Sequence, residues 1–123
     1  MSNWKQSNIV VGDVTLHYTR TGGNKPPLVL IHGFSDNGLC WTPVAQELEA
    51  DYDIIMPDMP SHGKSSRIPE DQPIDMSANV AALIEALNLG KPIVGGHSMG
   101  AVVTYELAVR FPHLVKAFFL EDP

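Results

Sequence analysis

Pro92-Ile93-Val94-Gly95-Gly96-His97-Ser98-Met99-Gly100-Ala101 is the stretch on which the reading of this chain turns. The apolar run Pro92 to Val94 predicts a strand, and Ala101 to Phe111 predicts a helix. Between them a serine sits between two glycines, Gly96 and Gly100. Strand, G-x-S-x-G, helix is the context that a nucleophile elbow requires. Serine is a poor nucleophile at neutral pH and needs a base beside it. A sharp turn lifts Ser98 out of the sheet, and Gly96 and Gly100 leave room for that turn. The backbone N–H of Met99 would stand at the helix N-terminus, where N–H groups lack partners and can hold a developing oxyanion. The competing reading is a glycine-rich strand–helix turn without catalysis. Two other readings fail. G-x-G-x-x-G started at Gly95 needs glycine where His97 stands, and a P-loop ending in Gly63-Lys64-Ser65 needs glycine where Asp58 stands.

Upstream, Leu28-Val29-Leu30-Ile31 is a continuous apolar run, the pattern of a strand buried on both faces. It leads directly into His32-Gly33-Phe34. A backbone that curls at His32-Gly33 brings the Phe34 N–H toward the elbow as a second oxyanion donor. His32 itself is read as a hydrogen-bonding brace of that loop. Ile9 to Val11 and Val14 to Tyr18, separated by Gly12-Asp13, read as a hairpin. Trp41, Val44, Ala45 and Leu48 predict one helix face. Tyr52 to Met56 predicts a strand, followed by a loop rich in Pro, Ser and Gly up to about residue 73. Met76, Val80, Leu83, Ile84 and Leu87 predict a second helix, capped by Asp75 or Ser77 and ended by Gly90. Residues 101–111 are apolar nearly all round, which predicts a central helix covered on several sides. Val115 to Leu120 is a last strand. Strands alternate with helices from residue 28 onward, which implies a mostly parallel sheet with helices on both faces and an N-terminal antiparallel hairpin. In such a sheet the functional loops follow the carboxyl ends of the strands, here at His32, Pro57, Gly95 and Glu121.

Composition bounds the partners. The 123 residues suffice for one domain with a modest core, and 44% hydrophobic with 18% charged residues is ordinary for a globular chain. A net charge of −6 argues against nucleic acid and anionic membrane, which need a basic surface. No apolar run approaches the roughly 20 residues of a membrane helix. The N-terminal residues 1–6 lack a signal-peptide pattern, so the expected location is cytoplasmic. A single cysteine, Cys40, excludes an internal disulfide and is read as a small packed residue. The five histidines, at 17, 32, 62, 97 and 113, show no metal-ligand spacing.

Taken together, His32-Gly33-Phe34, then Asp58 with Ser61-His62-Gly63-Lys64-Ser65, then Gly96-His97-Ser98-Met99-Gly100 resemble the α/β-hydrolase fold superfamily. The likeness runs from about residue 9 to the last residue, and is greatest to the single-domain esterase-like hydrolases. Those proteins often read Pro-Gly-His-Gly where this chain has Pro60-Ser61-His62-Gly63. The resemblance implies strand order 1-2-4-3-5-6 for one partial domain over residues 1–123 that stops after the sixth strand. It implies Ser98 as nucleophile, an acyl-enzyme on it, a small ester-like substrate, and neither metal nor organic cofactor. Serine at 98 argues against the dehalogenase and epoxide-hydrolase branches, which place aspartate there. Gly33 and His97 are expected to support the site.

Such proteins order their triad as Ser, then Asp or Glu, then His. After Ser98 the chain holds one histidine, His113, near a helix end on the wrong side of the sheet. His97 adjoins Ser98, but neighbours on an elbow point in different directions. The base is therefore expected from residues beyond these 123. Glu121 or Asp122 is a candidate acid, because some superfamily members carry theirs after the sixth strand. An open sixth strand promotes pairing, so either a homo-oligomer or a complementing C-terminal chain is expected. Three functions remain: an ester-type serine hydrolase, a non-catalytic scaffold binding through the open edge, and a C–C bond hydrolase. Met99 and Trp41 are read as packing residues rather than substrate selectors.

Overall fold

The computed structural model describes residues 3–123; Met1 and Ser2, which begin the N-terminal stretch read above, lie outside the described residues. Strands β1 (Lys5–Val11), β2 (Val14–Arg20), β3 (Pro27–Ile31), β4 (Asp53–Pro57), β5 (Ile93–His97) and β6 (Ala117–Glu121) form one sheet. Its order is β1-β2-β4-β3-β5-β6. β1 and β2 pair antiparallel in the register Val11↔Val14, and β2 pairs antiparallel with β4. β4, β3, β5 and β6 run parallel. Gly12 makes the hairpin turn at φ 63°, a left-handed value that only glycine adopts at little cost. The expected topology is the observed one.

Period-two alternation distributes the two faces. Val29, Ile31, Ile55 and Val94 point into one cluster with Val80, Ile84, Val103 and Leu107. The latter come from α2 (Met76–Ala86) and α3 (Met99–Arg110). Leu28, Leu30, Ile54 and Met56 point the other way, against Trp41 and Ala45. Ala45 belongs to α1 (Thr42–Leu48), which continues a 3-10 turn over Gly38–Trp41. Helices therefore cover both faces of the central strands, which explains why β3 and β4 carry unbroken apolar sequence.

Several expectations are corrected. Val44 is exposed, so the buried stripe of the first helix is Trp41, Ala45 and half-buried Leu48. Cys40 is exposed, not packed. Asp75, not Ser77, caps α2: its side chain accepts the Ala78 N–H at 3.2 Å. Asn88, at φ 56°, and not Gly90 makes the first left-handed step after α2. α3 begins two residues earlier than expected, because the Ser98 carbonyl already accepts from Ala101 (2.9 Å) and Val102 (3.2 Å). Nor is α3 covered all round. Val102, Tyr105 and Val109 are exposed, because α2 and the sheet meet only the face bearing Ala101, Val103, Thr104 and Leu107. Every residue of β6 is exposed, Phe118, Phe119 and Leu120 among them.

Candidate active site

Parallel order places the carboxyl ends of β3, β4, β5 and β6 along one rim. Ser98 stands at that rim, after β5 and as the N-cap of α3. Its backbone, at φ 55° and ψ −115°, lies in a region that non-glycine residues rarely enter. The fold holds it there from two sides. The Ser98 N–H donates to the Glu121 carbonyl at 2.9 Å, and its own carbonyl starts α3. The turn is tight enough that a Cβ on Gly96 would overlap the Gly100 carbonyl, and one on Gly100 would overlap the Ile31 carbonyl. These two overlaps give the physical reason for glycine on either side of the serine. Ser98 is exposed, while Gly96 and Gly100 are buried.

The loop after β3 approaches the elbow closely. A Cβ on Gly33 would lie 3.4 Å from the Ser98 Cβ and 3.4 Å from the His97 carbonyl. The next residue is Phe34, whose ring is 77% exposed at the rim. Met99 opens α3, so its N–H has no carbonyl four residues back to bond. Gly33, one residue before Phe34, and Met99 thus both adjoin Ser98.

His32 is wholly buried. The Met59 N–H donates to its Nε2 at 2.9 Å, so the proton sits on Nδ1, which donates to the Gly33 carbonyl at 2.7 Å. Burial holds its pKa below the ordinary 6.5. Asp58 organises the neighbouring loop, a role the sequence reading did not give it. Its Oδ1 accepts the Gly38 N–H at 2.7 Å and its Oδ2 the Lys64 N–H at 2.9 Å. Gly63, at φ 51°, fits because any Cβ would overlap the Asp58 carboxylate. His62 donates from or accepts at no elbow atom; its Nδ1 meets the Pro60 carbonyl at 2.9 Å and its ring stacks 5.0 Å from His32.

His97 turns away from the serine toward β6. Its Nδ1 is 3.2 Å from Glu121 Oε1 without the geometry of a hydrogen bond. Glu121 is thereby near the elbow through both backbone and side chain, whereas Asp122 follows at φ 46° and is exposed. His113 lies beyond the far end of α3, whose 12 residues span about 18 Å. His17 bonds Asn8 and Gln6 on the hairpin. Among the described residues, then, no histidine hydrogen-bonds Ser98.

Two hollows adjoin the rim. One, of about 560 Å³, runs along α3 past Met99, Val102 and Val103, with Ile74 and Met76 opposite. The other, of about 290 Å³, lies between Asp36, Cys40, Trp41, Val44, His97 and Glu121. Within it, partial desolvation and then the Asp36 carboxylate push the Cys40 thiol up to about 12, so it stays a thiol at neutral pH.

A strand-borne serine elbow beneath a histidine-glycine loop, in this sheet order, defines an α/β hydrolase. The chain belongs to the alpha/beta hydrolase fold family, whose model matches residues 26–123, and it carries the N-terminal half of that fold. It is 38% identical over 103 residues to the (E)-2-((N-methylformamido)methylene)succinate hydrolase of Acinetobacter baylyi, covering 83% of this chain and 39% of that protein. It is 30% identical over 120 residues to an epoxide hydrolase of Caballeronia sordidicola, covering 94% of this chain and 36% of the relative. A bacterial membrane phospholipase A superposes with a TM-score of 0.90 at 27% identity, over 97% of this chain and 39% of that one. The chain thus spans about two fifths of the length of these relatives. Among the described residues no helix is long and apolar enough to cross a membrane.

Proposed function

We propose that this chain supplies the nucleophile and oxyanion hole of a serine hydrolase acting on small ester-like substrates. The observation that carries this reading is Ser98, exposed and held at φ 55° between β5 and α3, with the Gly33 turn that leads into Phe34 packed against it. Ser98 Oγ attacks the carbonyl carbon, and the Phe34 and Met99 N–H groups receive the oxyanion. Collapse expels the alcohol and leaves an acyl-enzyme, which water hydrolyses. The base is a histidine contributed by residues beyond these 123, with Glu121 the better placed of the two candidate acids. The end of the cleft beside Met99, lined by Val102, Val103 and Met76, offers room for a short hydrocarbon group of the substrate, while Asp75, Glu106 and Arg110 also line the cleft. Serine at 98, rather than aspartate, favours this over epoxide opening.

The test joins the chain to the C-terminal segment of a relative and treats the folded chimera with a fluorophosphonate probe. Peptide mapping is expected to find the label on Ser98, with Ser98→Ala reducing labelling by roughly 10³-fold or more. Equal labelling of the two proteins, or none in the folded chimera, would overturn the proposal. Turnover of ester against C–C substrates then separates the two hydrolase chemistries.

A second reading is favoured by β6, all of whose residues are exposed. There the chain acts as a scaffold and pairs through that edge with a second copy or a complementing chain. Light scattering is expected to show a mass above monomer that falls on dilution; a monomer at every concentration would exclude the homo-oligomer.

A further inference from the structure

Three rings meet where the loops after β3 and β4 touch. His32 lies 5.0 Å from His62, and Phe34 meets His62 edge-on at 5.6 Å. Of the three rings, His32 alone bonds both loops: its Nδ1–H donates to Gly33 after β3, and its Nε2 accepts from Met59 after β4. Each bond requires a particular protonation. With a proton on both nitrogens, Nε2–H would face the Met59 N–H, donor against donor, where no water enters.

We infer that His32 is a positioning residue which holds the Phe34 N–H in place only as the neutral Nδ1–H tautomer, so that proton uptake by its ring releases the oxyanion loop. This rests on the reading of Phe34 as an oxyanion donor. The groups around the ring leave the device intact. His62, on the β4 loop, disfavours a positive charge on His32. Asp58, on the same loop, and Asp36, on the β3 loop, favour one. Asp58 already spends both oxygens on Gly38 and Lys64. From β5, His97 reaches Gly33 with its ring edge, and the first turn of α3 carries no acidic residue. Burial outweighs the two carboxylates, so the folded chain favours the neutral ring. Its stabilising contribution is complete above the ordinary 6.5 and is lost as pH falls through the lower folded-state value.

The experiment is an NMR titration of the ¹⁵N-labelled chain from about pH 7.5 to about pH 5. Near pH 7.5 the His32 Nε2 is expected at an unprotonated, hydrogen-bond-accepting shift. On acidification it should protonate, and the Met59 and Phe34 amides should move with the same midpoint, below 6.5. Met59 amide exchange, corrected for its intrinsic rate, should accelerate roughly fivefold or more. In His32→Gln, whose amide oxygen can accept from Met59, both amides should stay still over that range, while His62→Gln should keep the transition. A protonated Nε2 near pH 7.5, amides that do not move with the His32 ring, or a transition that survives in His32→Gln would overturn the inference. Should His32→Gln fail to fold, the shared midpoint in the unaltered chain still decides. Labelling of Ser98 near neutral pH is independent of this titration, so the two proposals fail separately.

Discussion

Replacing Gly100 by alanine is expected to cost at least about 3 kcal/mol and to lower the melting temperature by about 10 °C or more. Helix propensity alone predicts the reverse, since alanine is better than glycine inside a helix by about 1 kcal/mol. Sterics decide the sign. A Cβ at position 100 would overlap the Ile31 carbonyl and lie 2.6 Å from the His32 carbonyl. Both are backbone atoms, the first held in the parallel sheet and the second directly after it, so no rotamer change relieves the contact. α3 would have to lift from β3, carrying Met99 away from the loop that bears Phe34. The matched control is Gly90→Ala. Gly90 sits at φ 70° with nothing within 4 Å, so only backbone strain of about 1 kcal/mol applies. Thermal denaturation of the two variants measures the difference; equal losses would show that the close approach of α3 to β3 is not what requires glycine.

Asp58→Ala is expected to cost about 3 kcal/mol in denaturant unfolding, and Asp58→Asn about half of that. The carboxylate is buried and takes one backbone N–H on each oxygen, Gly38 at 2.7 Å and Lys64 at 2.9 Å. Alanine leaves both donors without an acceptor. Asparagine keeps one acceptor oxygen but presents an amide N–H₂ to the other donor. Gly38 begins the 3-10 turn that closes the Phe34 loop, and Lys64 belongs to the loop below it. Both variants are therefore expected to slow fluorophosphonate labelling of the chimera along with their loss of stability. Labelling that is unchanged in Asp58→Ala would separate the two loops functionally.

The strands, the hairpin and the elbow were legible because each rests on local chemistry, whereas the strand order came only with the family resemblance. Leu28 to Ile31 announces a strand covered on both faces, Gly12 a tight turn, and Gly96 and Gly100 a turn with no room for side chains. What escaped depends on residues remote in sequence. Nothing near Cys40 or Val44 shows that this segment packs through Trp41, Ala45 and Leu48 while those two stay exposed. The apolar stripe of Val102, Tyr105 and Val109 reads as core until the positions of α2 and the sheet are known. Asp58 was noticed as part of a resemblance, but its role needs Gly38, 20 residues earlier, to arrive at its oxygen. A signal was present in the sequence: an aspartate shortly before Ser61 and Gly63, both of which take left-handed backbone, is the pattern of a side chain capping its own turn.

The bond from Ser98 N–H to the Glu121 carbonyl has a consequence for how the site assembles. It closes a chain segment of 23 residues, from 98 to 121, whereas Ile31 reaches its partner Gly96 across 65. Closing the longer loop costs about 1 kcal/mol more entropy. Ser98, the proposed nucleophile, is thus secured by a compact strand–helix–strand unit, while the loop bearing Phe34 arrives from a distant part of the chain. Chain connectivity brings the serine turn and the loop bearing Phe34 together across two very different loop lengths.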